Sequence, residues 1–269
     1  MSRPVKLFIV EGLDRDFRFV EKMTQCFFDR GRYEARIINL PAAQNIYMLY
    51  KVLKEDEFET DIVEILRDTL DSAKELLKDV SRQDIDEVYM FFDYDIHQNN
   101  IRQGDISVTP DSVLREMLDV FDNETENGKL YISYPMVEAL YDYKDFSCES
   151  FSSCFIAADT GDNYKRLSGE NNPNASSHMD ILFWKNVINV FYLRISCLFG
   201  LDSISFSEYR QIVTPLTIYN RESELTCSNN QIFVLSAFPE YLLDNFREDF
   251  WNTMTPIKHY KYEKCIIRS

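Results

Sequence analysis

Three acidic elements in this chain follow apolar segments, and their spacing suggests chemistry. Glu11 comes directly after "LFIV", Asp93 and Asp95 follow "VYMFF" as an Asp-x-Asp pair, and Glu138 lies a few residues beyond "LYISY". In an open α/β sheet, ligands bind at the carboxyl ends of the strands. Acids that end neighbouring parallel strands therefore meet at one rim. Carboxylates brought together repel, and burying them unpaired is costly. A hard divalent cation with oxygen ligands resolves the conflict. Mg²⁺ suits it best, with Mn²⁺ as a substitute, because it needs only one or two carboxylates and keeps waters and a phosphate around it. Gly12 after Glu11 lets the chain turn sharply and leaves room beside the acid.

Around these acids the pattern alternates strand and helix. Residues 5–10 (VKLFIV), 34–40 (EARIINL), 87–92 (EVYMFF) and 129–133 (KLYIS) read as strands. Helices are predicted over 14–29, 43–54 and 60–80, and from Thr109-Pro110 onward, where an N-cap precedes proline at the first helical position. Pro135 ends the fourth strand, and a short helix through Glu138 and Leu140 is expected there. The alternation implies an α/β fold with a mostly parallel, Rossmann-like sheet flanked by helices. Residues 145–178, rich in Ser, Asn, Asp and Gly, read as a polar loop or boundary. Residues 179–269 read as mainly helical, with one apolar helix over 179–200 and partly helical stretches over 205–217 and 230–254. The domains expected are thus 1–144, the boundary 145–178, and the C-terminal region 179–269.

The order of strand-Glu-Gly, about eighty residues of α/β pattern, then strand-Asp-x-Asp resembles the Toprim (topoisomerase-primase) fold. "FIVEGLDRDF" (Phe8 to Phe17) and "MFFDYD" (Met90 to Asp95) carry the likeness. It looks closest to the small Toprim-like nucleases of bacterial anti-phage and abortive-infection systems, which often work beside an ATPase. The resemblance implies phosphodiester cleavage in DNA or RNA with Mg²⁺. Glu11 would be acid/base or metal ligand, and Asp93 and Asp95 metal ligands. "YPMVEAL" (Tyr134 to Leu140) is similar to a further acidic context of such enzymes and nominates Glu138. It also implies a nucleic-acid partner and an ATPase partner protein. The likeness covers roughly residues 5–141. The segment between the second and third strands departs from it, being long and acidic.

Other features narrow the classes. The net charge is −16, and residues 54–87 alone hold thirteen acids and five bases. Such a balance disfavours simple electrostatic binding to nucleic acid or to an anionic membrane, while a local basic groove remains compatible with it. Six scattered Cys (26, 148, 154, 197, 227, 265) and three His form no zinc pattern and suit a reducing cytoplasm. No leader or membrane span is expected. The run Ile181 to Gly200 reads as a buried helix or an oligomer interface, so a homo-oligomer is compatible with it. There is no P-loop and no G-x-S-x-G.

His97 reads as a loop residue or a proton shuttle. Asp14 and Asp16 read as first-turn helix acids, and of the two Asp14 is expected nearer the site. "KHYKYEKC" near the C-terminus reads as an edge strand or a base-stacking segment, and Lys165 and Arg166 as surface charge or phosphate contacts. Two alternatives stand beside the nuclease. One is a non-catalytic Toprim-like binding or regulatory subunit. The other is a haloacid-dehalogenase-like phosphatase, disfavoured because Asp93 comes late in the chain.

Overall fold

The structure is a computed structural model that describes residues 3–12, 14–41, 45–94, 108–142, 154–160, 163–171, 179–201 and 203–255. The chain divides into two compact units, Met1–Tyr131 and Ile132–Ser269. The division falls ahead of residue 144, within the fourth strand expected from the sequence.

In the first unit, β1 (Val5–Val10) leads into α1 (Arg15–Phe27) and β2 (Glu34–Asn39). The helices α2 (Ile46–Glu55), α3 (Ile62–Thr69) and α4 (Asp71–Leu76) then carry the chain to β3 (Ile85–Asp93). α5 (Pro110–Val120), β4 (Asp122–Asn123) and β5 (Gly128–Ser133) follow. The five strands form one sheet in the order β2-β1-β3-β5-β4. β1 runs parallel to both β2 and β3, and β4 runs antiparallel to β5. The α/β class and mostly parallel sheet expected from the sequence are present.

β1 is an interior strand, and nearly all of it is buried, as a strand covered on both faces must be. One face carries aromatic rings. Phe8 stacks on Tyr89 (centroids 5.5 Å apart), and Phe91 stacks on Tyr131 at 5.6 Å. Offset stacking of this kind adds to burial and pins the lateral register. At Gly128, φ is +107° and an added Cβ would lie 3.3 Å from Val88, so the turn into β5 favours glycine twice over.

The helix expected over 60–80 is two helices. Leu70 leaves the helical region (φ −125°, ψ 114°) between α3 and α4. The Thr69 hydroxyl donates to the Ile65 carbonyl at 2.7 Å, a back-bond that weakens the last turn. The apolar stripe survives the break, with Leu66, Leu70, Ala73 and Leu77 all buried. α5 starts as expected: Thr109 accepts from the Ser112 amide, Ser112 accepts from the Thr109 amide, and Pro110 takes the first position.

In the second unit, Tyr134 pairs with Leu235 and a 3-10 turn spans Val137–Tyr141, the short helix expected there. β6 (Phe155–Ala157) and α6 (Asn163–Asn171) lie inside the stretch expected to be loop. The correction has a physical basis. β6 is ordered by a distant antiparallel partner, and among the described side chains of α6 only Tyr164 and Ser168 are buried, too little for an apolar stripe. α7 (Ile181–Leu198) is the apolar helix expected, followed by α8 (Phe206–Ile212) and α9 (Pro215–Asn229). β7 (Gln231–Phe233), the partner of β6, precedes α10 (Ala237–Asn245) and α11 (Glu248–Met254). α7 is long and apolar enough to cross a membrane by length and composition, yet 61% of it is buried within the protein. Trp184, Ile188 and Ile195 are fully enclosed. It serves as the core helix of its unit.

Candidate active site

β1 ends in register with both neighbours: Val10 lies opposite Asn39 of β2 and Phe91 of β3. Glu11 is the next residue, so it emerges between the carboxyl ends of two parallel strands. There the Asp93 amide donates to Glu11 Oε2 at 3.2 Å. Both residues are half-buried. Glu11 and the backbone of Asp93, the first acid and the first member of the Asp-x-Asp pair, are thus neighbours at the carboxyl ends of β1 and β3. Asp95 and His97 lie outside the described residues, as does the "KHYKYEKC" segment.

Gly12 has a second neighbour. A Cβ at Gly12 would lie 2.2 Å from Asp16 Oδ2 and 3.2 Å from its Cγ. The Asp16 carboxylate, 7% exposed, thus occupies the space that any other residue at 12 would fill. Asp14 is exposed and caps α1 without a side-chain hydrogen bond. The expectation that Asp14 lies nearer the site is corrected: Asp16 packs on the Glu11-Gly12 turn. The spacing hides this, because an acid in a first helical turn is accounted for by the dipole alone. Asn39, half-buried at the end of β2, is the other polar rim residue that the sequence reading missed. Its signal was an amide directly following the apolar pair Ile37-Ile38.

Glu138 belongs to the second unit, in the 3-10 turn, and is 1% exposed. Its Oε1 is 3.9 Å from Lys165 Nζ, and its carbonyl accepts from Ser168 Oγ at 3.2 Å. Asp142, one turn on, accepts from the Tyr164 hydroxyl. Burial pushes the Asp142 carboxyl up and the Tyr164 phenol well above its usual value. Arg194, on α7 and 4% exposed, donates through Nη1 to the Val234 carbonyl at 2.7 Å. Burial pulls the Arg194 guanidinium down, against the pull of Asp142 and Tyr164. Ala139, Asp142, Arg194 and Ser236 share one small cavity with apolar neighbours. Glu138 thus belongs to a packed polar network of its own unit, and the mostly exposed Lys165 is its partner.

Among the described residues, no group of three or more His, Cys, Asp or Glu is placed to hold a metal ion. The rim nonetheless fits a hard cation in kind. Glu11 and Asp93 carry carboxylates, the donor type a hard cation takes, and one or two of them suffice for Mg²⁺. Comparison with family models, with curated proteins and with solved structures finds no match to this chain.

Proposed function

We propose that the Glu11–Asp93 rim is the active site of a Toprim-like, Mg²⁺-dependent nuclease that cleaves phosphodiester bonds in DNA or RNA, acting as an anti-phage defence effector. The observation that carries the reading is the 3.2 Å hydrogen bond from the Asp93 amide to Glu11 Oε2. Residues 82 apart in sequence are brought together at the carboxyl ends of adjacent parallel strands, where α/β enzymes bind their ligands.

Within this reading each residue has a task. The Asp93 amide fixes one Glu11 oxygen and so orients the carboxylate, which takes a proton from the attacking water. Asp93 and Asp95 would hold Mg²⁺, with Glu11 as a further ligand. An ion bound there would supply Lewis-acid polarisation of a phosphoryl oxygen. Asp16 fills the space over Gly12 and limits the paths the turn can take.

Incubating the protein with labelled DNA and RNA in Mg²⁺ or Mn²⁺ tests the reading. Cleavage should appear with metal, vanish in chelator, and be lost in Glu11→Ala and Asp93→Ala. Parental rates in either variant would overturn it. A second reading is a non-catalytic regulatory subunit. Titration calorimetry separates the two: no uptake of Mg²⁺ or Mn²⁺ at millimolar concentration favours the regulatory subunit.

A further inference from the structure

Three adjacent strands end at the rim, and the contribution of β2 is not an acid. Val10 of β1 lies opposite Asn39 on one side and Phe91 on the other. Residues in register on parallel strands point to the same face of a sheet, and so do residues two apart on one strand. Asn39, Val10, Phe91 and Asp93 therefore share one face. Asn39 and Asp93 stand on either side of the end of β1, on strands about 10 Å apart across the sheet.

The backbone holds Asn39 in place. The ladder runs on past it, with the Leu40 amide donating to the Val10 carbonyl at 2.9 Å. Ile38 and Leu40, which point to the opposite face, are buried and anchor the strand end in the core. Ile37 and Asn39, on the face shared with Asp93, are half-buried, as is Asp93 itself. The face that carries Asn39 is thus the less covered one at this border of the sheet. The chemistry of the side chain also differs from that of its acidic neighbours. A carboxamide has no charge and two N–H donors, so a bond made by one within the protein leaves the other for a ligand.

We propose that Asn39 is a positioning residue that donates through Nδ2 to a non-bridging oxygen of a phosphodiester bound at the rim. The proposal rests on the nuclease reading for its ligand and adds the group that grips it from the β2 side. The residue type suits the place. A third carboxylate would repel the phosphate, and an ammonium would compete with a cation for Glu11 and Asp93. A neutral donor does neither. A contact to phosphate reads no base, so Asn39 serves DNA and RNA of any sequence.

Strand binding is measured by fluorescence anisotropy with labelled 20-nucleotide oligo-dT and oligo-rU, on the full chain carrying Glu11→Gln, in Mn²⁺. Mn²⁺ uptake by the same chains is measured by titration calorimetry. Asn39→Ala should weaken strand binding about tenfold or more, the scale of a hydrogen bond to a charged acceptor, and leave Mn²⁺ affinity within twofold. Asn39→Asp keeps the shape but replaces the donor by a charge, and it should weaken strand binding at least as much. It decides the matter should Asn39→Ala melt early. Binding within twofold of the parent in Asn39→Asp, a fall in Mn²⁺ affinity in Asn39→Ala as large as in Asp93→Ala, or no strand binding by the parent would each overturn the proposal. Cleavage is assayed separately with Glu11 intact, where Asn39→Ala should act mainly on KM. Strand binding that depends on Asn39 without any cleavage refutes the nuclease and leaves the phosphate contact standing. Cleavage that is lost in Glu11→Ala but keeps parental KM and kcat in Asn39→Ala does the reverse.

Discussion

The Asp93 amide donates to Glu11 Oε2, so the end of one strand holds the side chain that leaves the end of its neighbour. A carboxylate held by a backbone donor from another strand cannot relax freely into solvent. Its direction is set by the β1–β3 register, and that register is set in turn by the buried apolar and aromatic residues along both strands.

Glu11→Gln and Asp93→Asn change charge and little else, and they are expected to lower metal-dependent cleavage by about 100-fold or more. Circular dichroism and melting should stay near parental values, since each substituted amide keeps an oxygen acceptor. A variant that melts early as well as losing activity would point to a structural role instead.

Gly12→Ala forces a methyl group into the place of Asp16 Oδ2. Because Asp16 is buried, its carboxylate has little room to swing away, and a loss of about 1–2 kcal/mol is expected. Asp16→Gly in the same chain opens that space. A urea double-mutant cycle should therefore show Gly12→Ala costing less in the Asp16→Gly background than alone. Additive costs would mean the two residues do not compete for the space.

Glu222 on α9 is 0% exposed and accepts from the Phe233 amide at 3.0 Å. Burial pushes its carboxyl well above the ordinary carboxylate value, and the amide opposes this only in part. With the folded value raised, its contribution to stability is complete below the unfolded value, near 4.5, and is lost as pH rises through the folded value. Glu222→Gln removes that dependence. The stability difference between variant and parent, from urea midpoints at pH 5 and pH 8, should shift in favour of the variant at the higher pH. A pH-independent difference would contradict it.

Arg194→Met keeps the volume but removes the donor to the Val234 carbonyl and the positive charge facing Asp142 and Tyr164. A loss of about 2–4 kcal/mol is expected, because buried acceptors are left without their partner. Guanidinium unfolding measures it, and a change below about 0.5 kcal/mol would show that the network tolerates the loss.

Buried parallel strands are continuous apolar runs, so the runs ending at Val10 and Phe92 place Glu11 and Asp93 at strand ends from the sequence alone. Asp16 was not readable as a rim residue, because an acid in a first turn carries the same signature whether it serves the dipole or packs on a glycine. The break at Leu70 was hidden by a stripe that keeps its helical spacing across the interruption. β6 was hidden because three residues of strand draw their order from β7, far along the chain. Glu138 looked like an acid beyond a strand, and nothing local in "YPMVEAL" announces that Lys165 and Ser168 engage it.

The two outer strands of the sheet have a consequence for behaviour at high concentration. β2 carries Glu34 and Arg36, and Arg36 is bonded to Glu34 and to Asp79; β4 at the far side is only two residues long. Charged, bonded side chains on one border and a stub on the other deny a second copy the long bare edge it needs to add strand upon strand. The sheet is therefore built to resist fibrous self-association.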